Sequence, residues 1–265
     1  MSPRVGIDGI ELAYERSGEG PAVLFVHGLG GRKEVWEEQR MAFAEAAFDA
    51  IAIDMRGHGD SDKPAGPYSV ESWAADLEQA LDALGVERAA LVGHSIGCIV
   101  VELAAASLRE RCRAVAMLGG AKRFDDDFKA TLRERAELAR EGRMREIGEA
   151  VATTALTERG RADRPELFER IAALIAANDP DAYAHSALAT AESEMRDFGN
   201  VACAALALAG AEDAVGPPSA AEEIAASFAR GSVETVPEGA HMCMLEVPAA
   251  TTEILLRFLR AEATG

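Results

Sequence analysis

The sequence predicts an α/β fold, with a mostly parallel central sheet flanked by helices, and three observations support this class. Short, continuous apolar runs, such as residues 22–26 and 114–118, are typical of strands buried on both faces. Segments with helical periodicity alternate with these runs, which is the order expected of parallel strands joined by helices. The composition, 49% hydrophobic and 27% charged over 265 residues, is that of a globular chain with a large core.

The N-terminal part supplies the first strands and helices. Residues 9–15 alternate apolar and polar side chains, which predicts a half-exposed strand, and residues 50–53 form another buried run. Residues 34–47, which lie between these two strands, can form a helix. From Val70 the apolar positions keep helical spacing, and Ser69 is placed to cap that helix.

The pentapeptide Gly93-His94-Ser95-Ile96-Gly97 is the most informative motif of the chain. It follows the apolar run 89–92 and precedes the apolar stretch 96–108, so it lies between a predicted strand and a predicted helix. In that context a G-x-S-x-G motif exposes a nucleophilic serine at the end of a strand. The two glycines allow the close backbone approach that such a turn requires. Ser95 is therefore the predicted nucleophile.

The alternation of strands and helices stops after Gly120 and resumes near residue 197. Residues 128–147, 167–177 and 183–194 have helical character, and no convincing strand occurs among them. We therefore predict a core domain made of residues 1–120 and 197–265, with a helical cap, 121–196, inserted in it. The cap is nearly neutral in a chain of net charge −18. We expect most of its charges to lie on solvated helix faces, and the sharper hypothesis is that one or two arginines, such as Arg133 or Arg140, face the substrate.

The C-terminal part completes the sheet. Residues 203–209 and 232–236 are predicted strands, and residues 248–260 are the closing helix. Between the two strands, the spacing Ser219-x-x-Glu222 predicts a capping box at the start of a helix.

Three loops that follow predicted strands carry a serine, a carboxylate and an imidazole. They contain Ser95, Asp213 and His241, in the chain order that this type of strand–turn–helix serine site requires. Because parallel strands share one carboxyl edge, we expect the three side chains to meet there. His241 would take the Ser95 proton and Asp213 would fix the imidazole. Glu212 and Asp125 remain alternatives for the acid.

A tetrahedral intermediate also needs donors for its oxyanion. The backbone N–H of Ile96, directly after the nucleophile, is one predicted donor. The glycine-rich loop 27–31 offers a second, the N–H of Leu29.

Several classes of partner and cofactor are excluded by the sequence. The charge of −18 argues against nucleic acid and anionic membranes, and no apolar run is long enough to span a bilayer. No cluster has the spacing of a metal site, and no nucleotide motif is present, so we expect no metal and no cofactor. Four cysteines without C-x-x-C spacing favour a reduced, cytoplasmic protein.

The chain resembles the α/β-hydrolase family along nearly its whole length. Within that family it is similar to the short-capped branch of 3-oxoadipate enol-lactone hydrolases, cofactor-free haloperoxidases and small esterases. Cys98 departs from the pattern, because relatives often have a glycine there. The motifs that carry the resemblance are His27-Gly28, Asp54-x-Arg56-Gly57-His58-Gly59, the Ser95 pentapeptide, Gly210-x-x-Asp213 and His241-x-x-x-x-Glu246-x-Pro248.

The resemblance implies a serine hydrolase that cleaves a small ester or lactone through an acyl-enzyme. An enol-lactonase is the narrower hypothesis. A small-molecule receptor with little turnover remains an alternative, as do a thioesterase, an acyltransferase and a cofactor-free perhydrolase. Whether the chain forms a homo-oligomer is left open.

Overall fold

The computed structural model describes residues 2–263, and within them eight strands form one sheet in the order β1-β2-β4-β3-β5-β6-β7-β8. The strands β1 and β2, and likewise β2 and β4, pair antiparallel, whereas all the other neighbours pair parallel. The prediction of a mostly parallel sheet is therefore confirmed. The strands are β1 Arg4–Ile7, β2 Ile10–Ser17, β3 Ala22–Val26, β4 Asp49–Ile53, β5 Ala89–His94, β6 Cys112–Leu118, β7 Ala204–Gly210 and β8 Gly231–Val236.

Helices follow or separate most of the parallel strands, so that both faces of the sheet are covered. The helix that begins directly after Ser95 has the bounds expected from its apolar run, Ile96–Leu108. The helices are α1 Glu37–Glu45, α2 Val70–Ala83, α3 Ile96–Leu108, α4 Asp126–Arg140, α5 Met144–Ala155, α6 Glu158–Asp163, α7 Pro165–Ala176, α8 Pro180–Ala191, α9 Pro218–Ala225, α10 Cys243–Glu246 and α11 Pro248–Ala263.

The central strands send alternate side chains into two apolar layers. Leu24 and Val26 of β3 pack with α2 and α3 on one face. Val23 and Phe25 pack with α1 and α11 on the other. All five residues of β3 are buried, which explains why the strand is a continuous apolar run in the sequence.

Some elements differ from the sequence predictions. The capping box is wrong, because α9 begins at Pro218, its N-cap is Pro217, and no side chain caps it. A proline suits the first turn of a helix, since the N–H that it lacks would have no partner there. The single helix predicted over 128–147 is interrupted at Gly142, whose φ of +78° ends α4. The short elements β1, α6 and α10 were not predicted.

Five helices, α4 to α8, lie between β6 and β7. The only strand-like pairing described in residues 121–196 is an isolated bridge between Arg123 and Glu194. Part of this segment has its own apolar cluster, which contains Ala136, Ile147 and Tyr183. The division of the chain into a core and a cap stays a prediction. No helix in residues 2–263 is long and apolar enough to cross a membrane.

Candidate active site

Ser95 lies at a strained turn between β5 and α3. Its φ of 54° and ψ of −120° are rarely adopted by a residue with a side chain, and Ser95 N–H donates to Leu118 O at 2.9 Å. A Cβ on Gly93 would lie 2.3 Å from Gly97 O, and a Cβ on Gly97 would lie 2.7 Å from His27 O, so neither position has room for a side chain. The sequence motif therefore forms the local geometry that exposes a serine side chain.

The departure at Cys98 has a packing explanation. Its thiol is buried and lies 3.3 Å from the carbonyl oxygens of both Gly93 and Leu118. The side chain fills the space behind the turn, where a Cβ on Gly120 would come within 2.9 Å of it.

Asp213 and His241 form a buried, hydrogen-bonded pair. His241 Nδ1 lies 3.0 Å from Asp213 Oδ2 and 3.2 Å from Oδ1. Asp213 Oδ1 also accepts hydrogen bonds from the N–H groups of Val215 and Gly216, at 2.8 and 2.9 Å. Because four contacts hold the carboxylate, the imidazole is oriented with Nδ1 toward Asp213, and Nε2 is left to exchange a proton.

The environment of Asp213 keeps its carboxyl group ionised. Burial alone would raise its pKa, but the adjacent His241 and the N–H groups of Gly216 and Val215 outweigh burial. The pKa of Asp213 therefore lies below its ordinary value. An ionised carboxylate is the form that can stabilise a protonated imidazole.

Ser95 and His241 line the same cavity. Among the described residues, Ser95 Oγ has no hydrogen-bond partner within 3.5 Å, so the serine and the imidazole are neighbours that are not hydrogen-bonded. Such bonds are often long in the absence of substrate and tighten when substrate binds.

Two backbone N–H groups near Ser95 are available to an oxyanion. Ile96 is the first residue of α3, where N–H groups have no partner within the helix. Leu29 lies in the turn closed by the hydrogen bond from Gly31 N–H to Gly28 O at 2.9 Å, and it lines the cavity. In the described part of the chain neither N–H donates to another protein group.

Three other histidines lie nearby, but burial keeps them neutral. Burial, together with the charge of the neighbouring His241, lowers the pKa of His94 to about 3. Burial likewise lowers the pKa of His27 to about 4 and that of His58 to about 3. His94 Nε2 donates to His241 O at 2.9 Å, so His94 supports the loop that carries His241.

Neither alternative acid is hydrogen-bonded to the imidazole among the described residues, although Asp125 lines the same cavity. Asp125 caps α4, where its side chain accepts from Phe128 N–H at 2.8 Å. Glu212 is exposed and forms no ion pair with His241 among the described residues. Of the candidates named from the sequence, the structure therefore brings Asp213 to His241.

Glu246 is a site residue whose role the sequence did not reveal. Its buried carboxylate accepts from Ala240 N–H at 2.9 Å, directly before His241. Its other oxygen accepts from Thr157 N–H at 2.9 Å and from Thr157 Oγ1 at 2.6 Å. Because Thr157 caps α6, one side chain connects the histidine loop to the helical segment.

The cavity next to Ser95 has a volume of about 510 Å³ and is bounded by the helical segment. A larger open groove of about 780 Å³, between α1 and α11, contains none of these groups. Most of the cavity wall is apolar, formed by Leu29, Phe124, Phe128, Leu132, Val151 and Met242. No group of three potential metal ligands occurs among residues 2–263.

The arginines that face the cavity are not the ones expected. Arg133 pairs with Glu192 and Arg140 pairs with Glu137, and all four side chains are exposed, so these two arginines lie on solvated helix faces and the hypothesis that they face the substrate is wrong. Arg123 and Arg135 line the cavity instead. Among the described residues, no carboxylate oxygen lies within 4.0 Å of either guanidinium.

Comparison with known proteins identifies similar chains over the whole length. A family model described as "alpha/beta hydrolase fold" matches residues 21–248. A 3-oxoadipate enol-lactonase from Acinetobacter baylyi is 28% identical over 244 residues, which cover 91% of this chain and 90% of that protein.

Two solved structures have the same fold at similar identity. A thermophilic esterase from Thermogutta terrifontis, described as malate-bound, superposes with a TM-score of 0.91 at 28% identity and 99% coverage of both chains. An enol-lactonase from Burkholderia xenovorans superposes with a TM-score of 0.90 at 26% identity, covering 97% of this chain and 100% of that one.

Proposed function

The chain belongs to the α/β-hydrolase fold family, and on that premise we propose that it is a serine hydrolase that cleaves small carboxylic esters or lactones. The observation that carries the proposal is the hydrogen-bonded Asp213–His241 pair, whose imidazole lines one cavity together with the strained, partly buried Ser95. This combination supplies a nucleophile, a base and a group that orients the base.

In the proposed mechanism Ser95 Oγ attacks the acyl carbon while His241 Nε2 takes its proton. The N–H groups of Leu29 and Ile96 stabilise the resulting oxyanion, and each such donor contributes about 3 kcal/mol. His241 then protonates the leaving oxygen, and the acyl-enzyme forms. A water molecule, deprotonated by His241, releases the acid product and restores Ser95.

The cavity favours a small substrate with an acidic group. Its volume of about 510 Å³ suits a compact ester or lactone. Arg123 and Arg135, which have no carboxylate partner among the described residues, outnumber the one acidic lining residue, Asp125, and offer partners for a carboxylate on that substrate. The buried Tyr183 lies beside Arg135, where burial raises the pKa of the phenol and the arginine charge opposes that rise.

The relatives support the same substrate class. One is named for an enol-lactone of 3-oxoadipate, and one structural relative is an esterase with malate bound. A lactonase of this kind opens a ring, so that the leaving oxygen stays attached to the acyl group. An enol-lactonase acting on a carboxylate-bearing lactone is therefore the narrower form of the proposal.

A panel of paired substrates tests the proposal. Each pair contains one neutral nitrophenyl ester or lactone and its counterpart with a terminal carboxylate, and kcat and KM are measured for both. We expect turnover of both members, with the lower KM for the carboxylate member, and we expect Ser95→Ala to abolish both activities. Turnover that survives in Ser95→Ala would contradict the mechanism.

A further inference from the structure

Two of the four cysteines meet at the edge of the sheet opposite the proposed active site. Cys112 begins β6, whose other end contacts Ser95 through Leu118. Cys203 directly precedes β7, the parallel neighbour of β6. Their Sγ atoms are 3.7 Å apart, although the residues are 91 positions apart in the sequence. We propose that Cys112 and Cys203 form a thiol pair that hydroperoxides convert reversibly to a disulfide.

The geometry of the pair is close to that of a disulfide. Both cysteines are free in this structure. A disulfide needs an S–S distance of about 2.05 Å, so the two sulfurs must approach by less than about 2 Å. Cys112 is buried and Cys203 is partly exposed at an open cleft of about 640 Å³. An oxidant can therefore reach Cys203 first.

The cleft is positive in a chain whose net charge is −18. Four arginines line it, against the two carboxylates of Glu110 and Glu262. The Nε atom of one of them, Arg113, is buried without a hydrogen-bond partner among the described residues. Such a cleft stabilises a thiolate and attracts anions. The arginines are Arg88, Arg109, Arg113 and Arg230.

The two thiols differ in pKa, as expected if one attacks the peroxide as a thiolate and the other reacts in the second step. The adjacent Cys112 thiol lowers the pKa of Cys203, and Arg230 acts in the same direction. The contact with Cys203 and burial both raise the pKa of Cys112. Cys203 therefore carries the thiolate that attacks, and Cys112 keeps its proton until the second step.

The reaction balances with one hydroperoxide molecule. The Cys203 thiolate attacks one peroxide oxygen, the O–O bond breaks, and the departing hydroxide takes a proton to become water. Cys203 is then a sulfenic acid. Cys112 sulfur attacks the Cys203 sulfur, the S–O bond breaks, and the leaving hydroxide accepts the Cys112 proton. The pair has lost two electrons and hydrogen peroxide has become two waters.

The remaining cysteines provide an internal control. Cys98 and Cys243 are buried, and burial raises the pKa of the Cys98 thiol well above its usual range and that of Cys243 to about 12. Neither thiol is among the lining residues of the cleft. They should stay reduced when the pair is oxidised.

The experiment treats the full-length protein with a few equivalents of hydrogen peroxide. Free thiols are then alkylated under denaturing conditions, and the product is analysed by mass spectrometry. We expect a loss of about 2 Da before alkylation, two fewer alkylated thiols, and one peptide that joins Cys112 to Cys203. Dithiothreitol should reverse the change. The disulfide closes a long loop, so the oxidised protein should melt roughly 5 °C higher than the reduced protein.

Cysteine-to-serine variants distinguish the Cys112–Cys203 disulfide from oxidation at other residues. Cys112→Ser and Cys203→Ser should each abolish the cross-link, whereas Cys98→Ser should retain it. Oxygen addition at Cys203 without a cross-link would overturn the proposal, as would four alkylated thiols after treatment or a disulfide between two chains. Because the pair lies at the far edge of the sheet, this outcome is independent of the proposed hydrolase activity.

Discussion

The two walls of the cavity differ in how their polar groups are held. On the sheet wall, His241 is held by Asp213, which is itself fixed by four hydrogen-bond contacts, and the loop of His241 is anchored through Glu246. On the helical wall, Arg123 and Arg135 have no carboxylate partner among the described residues. The helical segment keeps its ion pairs on the outside, where they are exposed.

The difference indicates that the two walls have separate roles, one in catalysis and one in substrate binding. Groups that are buried and fully bonded keep one geometry, which is what proton transfer and oxyanion stabilisation require. Arginines that line a cavity without a carboxylate partner can form charge-assisted hydrogen bonds with an anionic ligand. We therefore expect the sheet wall to control kcat and the helical wall to control which substrates bind.

The largest effect should come from the sheet wall. Asp213→Asn should lower kcat by about 10⁴, because the amide would favour the wrong imidazole tautomer. Asp125→Asn is the matched control, since asparagine also caps a helix and Asp125 is not bonded to His241. Steady-state kinetics on one neutral ester would measure both. A larger loss of kcat in Asp125→Asn would reverse the assignment of the acid.

On the helical wall the effect should appear in binding. Arg135→Gln should raise KM for a carboxylate-bearing substrate by about 10-fold to 100-fold, because a charge-assisted hydrogen bond contributes about 1.5–3 kcal/mol. The KM for the neutral counterpart should change little. Arg133→Gln is the control, because its exposed pair with Glu192 faces solvent. Equal effects on both substrates would remove Arg135 from substrate recognition.

A substitution at Glu102, which lies outside the cavity, should alter the stability of the fold and not the activity. Glu102 of α3 is buried, and its Oε1 accepts from Asp197 N–H at 2.6 Å. Burial, assisted by the charge of Asp197 and opposed by that N–H, raises the pKa of Glu102 from 4.5 to about 7. The folded protein thus holds this proton more tightly than the unfolded chain. Stability should fall as pH rises from about 4.5 to about 7.

Glu102→Gln removes this titration. The free energy of unfolding of the variant minus that of the unsubstituted protein should be about 3 kcal/mol more positive at pH 8 than at pH 4, because only the unsubstituted protein loses stability over this range. Urea unfolding at several pH values would measure the difference, with kcat unchanged near neutral pH. Parallel stability curves for the two proteins would contradict the pKa assigned to Glu102.

The elements that the sequence predicts best are those whose residues are buried on all sides. Ala22–Val26 and Ile96–Leu108 have the expected bounds because continuous burial requires continuous apolar residues. The strand Arg4–Ile7 was missed, since it is short and only Val5 and Ile7 are buried. At α9 the prolines at 217 and 218 set the helix start more strongly than the capping pattern did.

For the candidate site, the topology of the sheet decides what could be predicted. Ser95, Asp213 and His241 could be predicted because each follows a strand and parallel strands share one edge. Which arginine faces the cavity depends on how the helices pack, and local sequence does not encode that packing. The meeting of Cys112 and Cys203 depends on the adjacency of β6 and β7 across 91 positions, so their spacing in the sequence carries no signal.

The central claim is that Ser95 is a nucleophile activated by the Asp213–His241 pair. The most direct measurement is the rate of covalent labelling by a fluorophosphonate, with the labelled peptide identified by mass spectrometry. The account predicts one label, on Ser95, with no labelling in Ser95→Ala and labelling slowed by orders of magnitude in Asp213→Asn. A label on another residue, or an unchanged rate in Asp213→Asn, would contradict it.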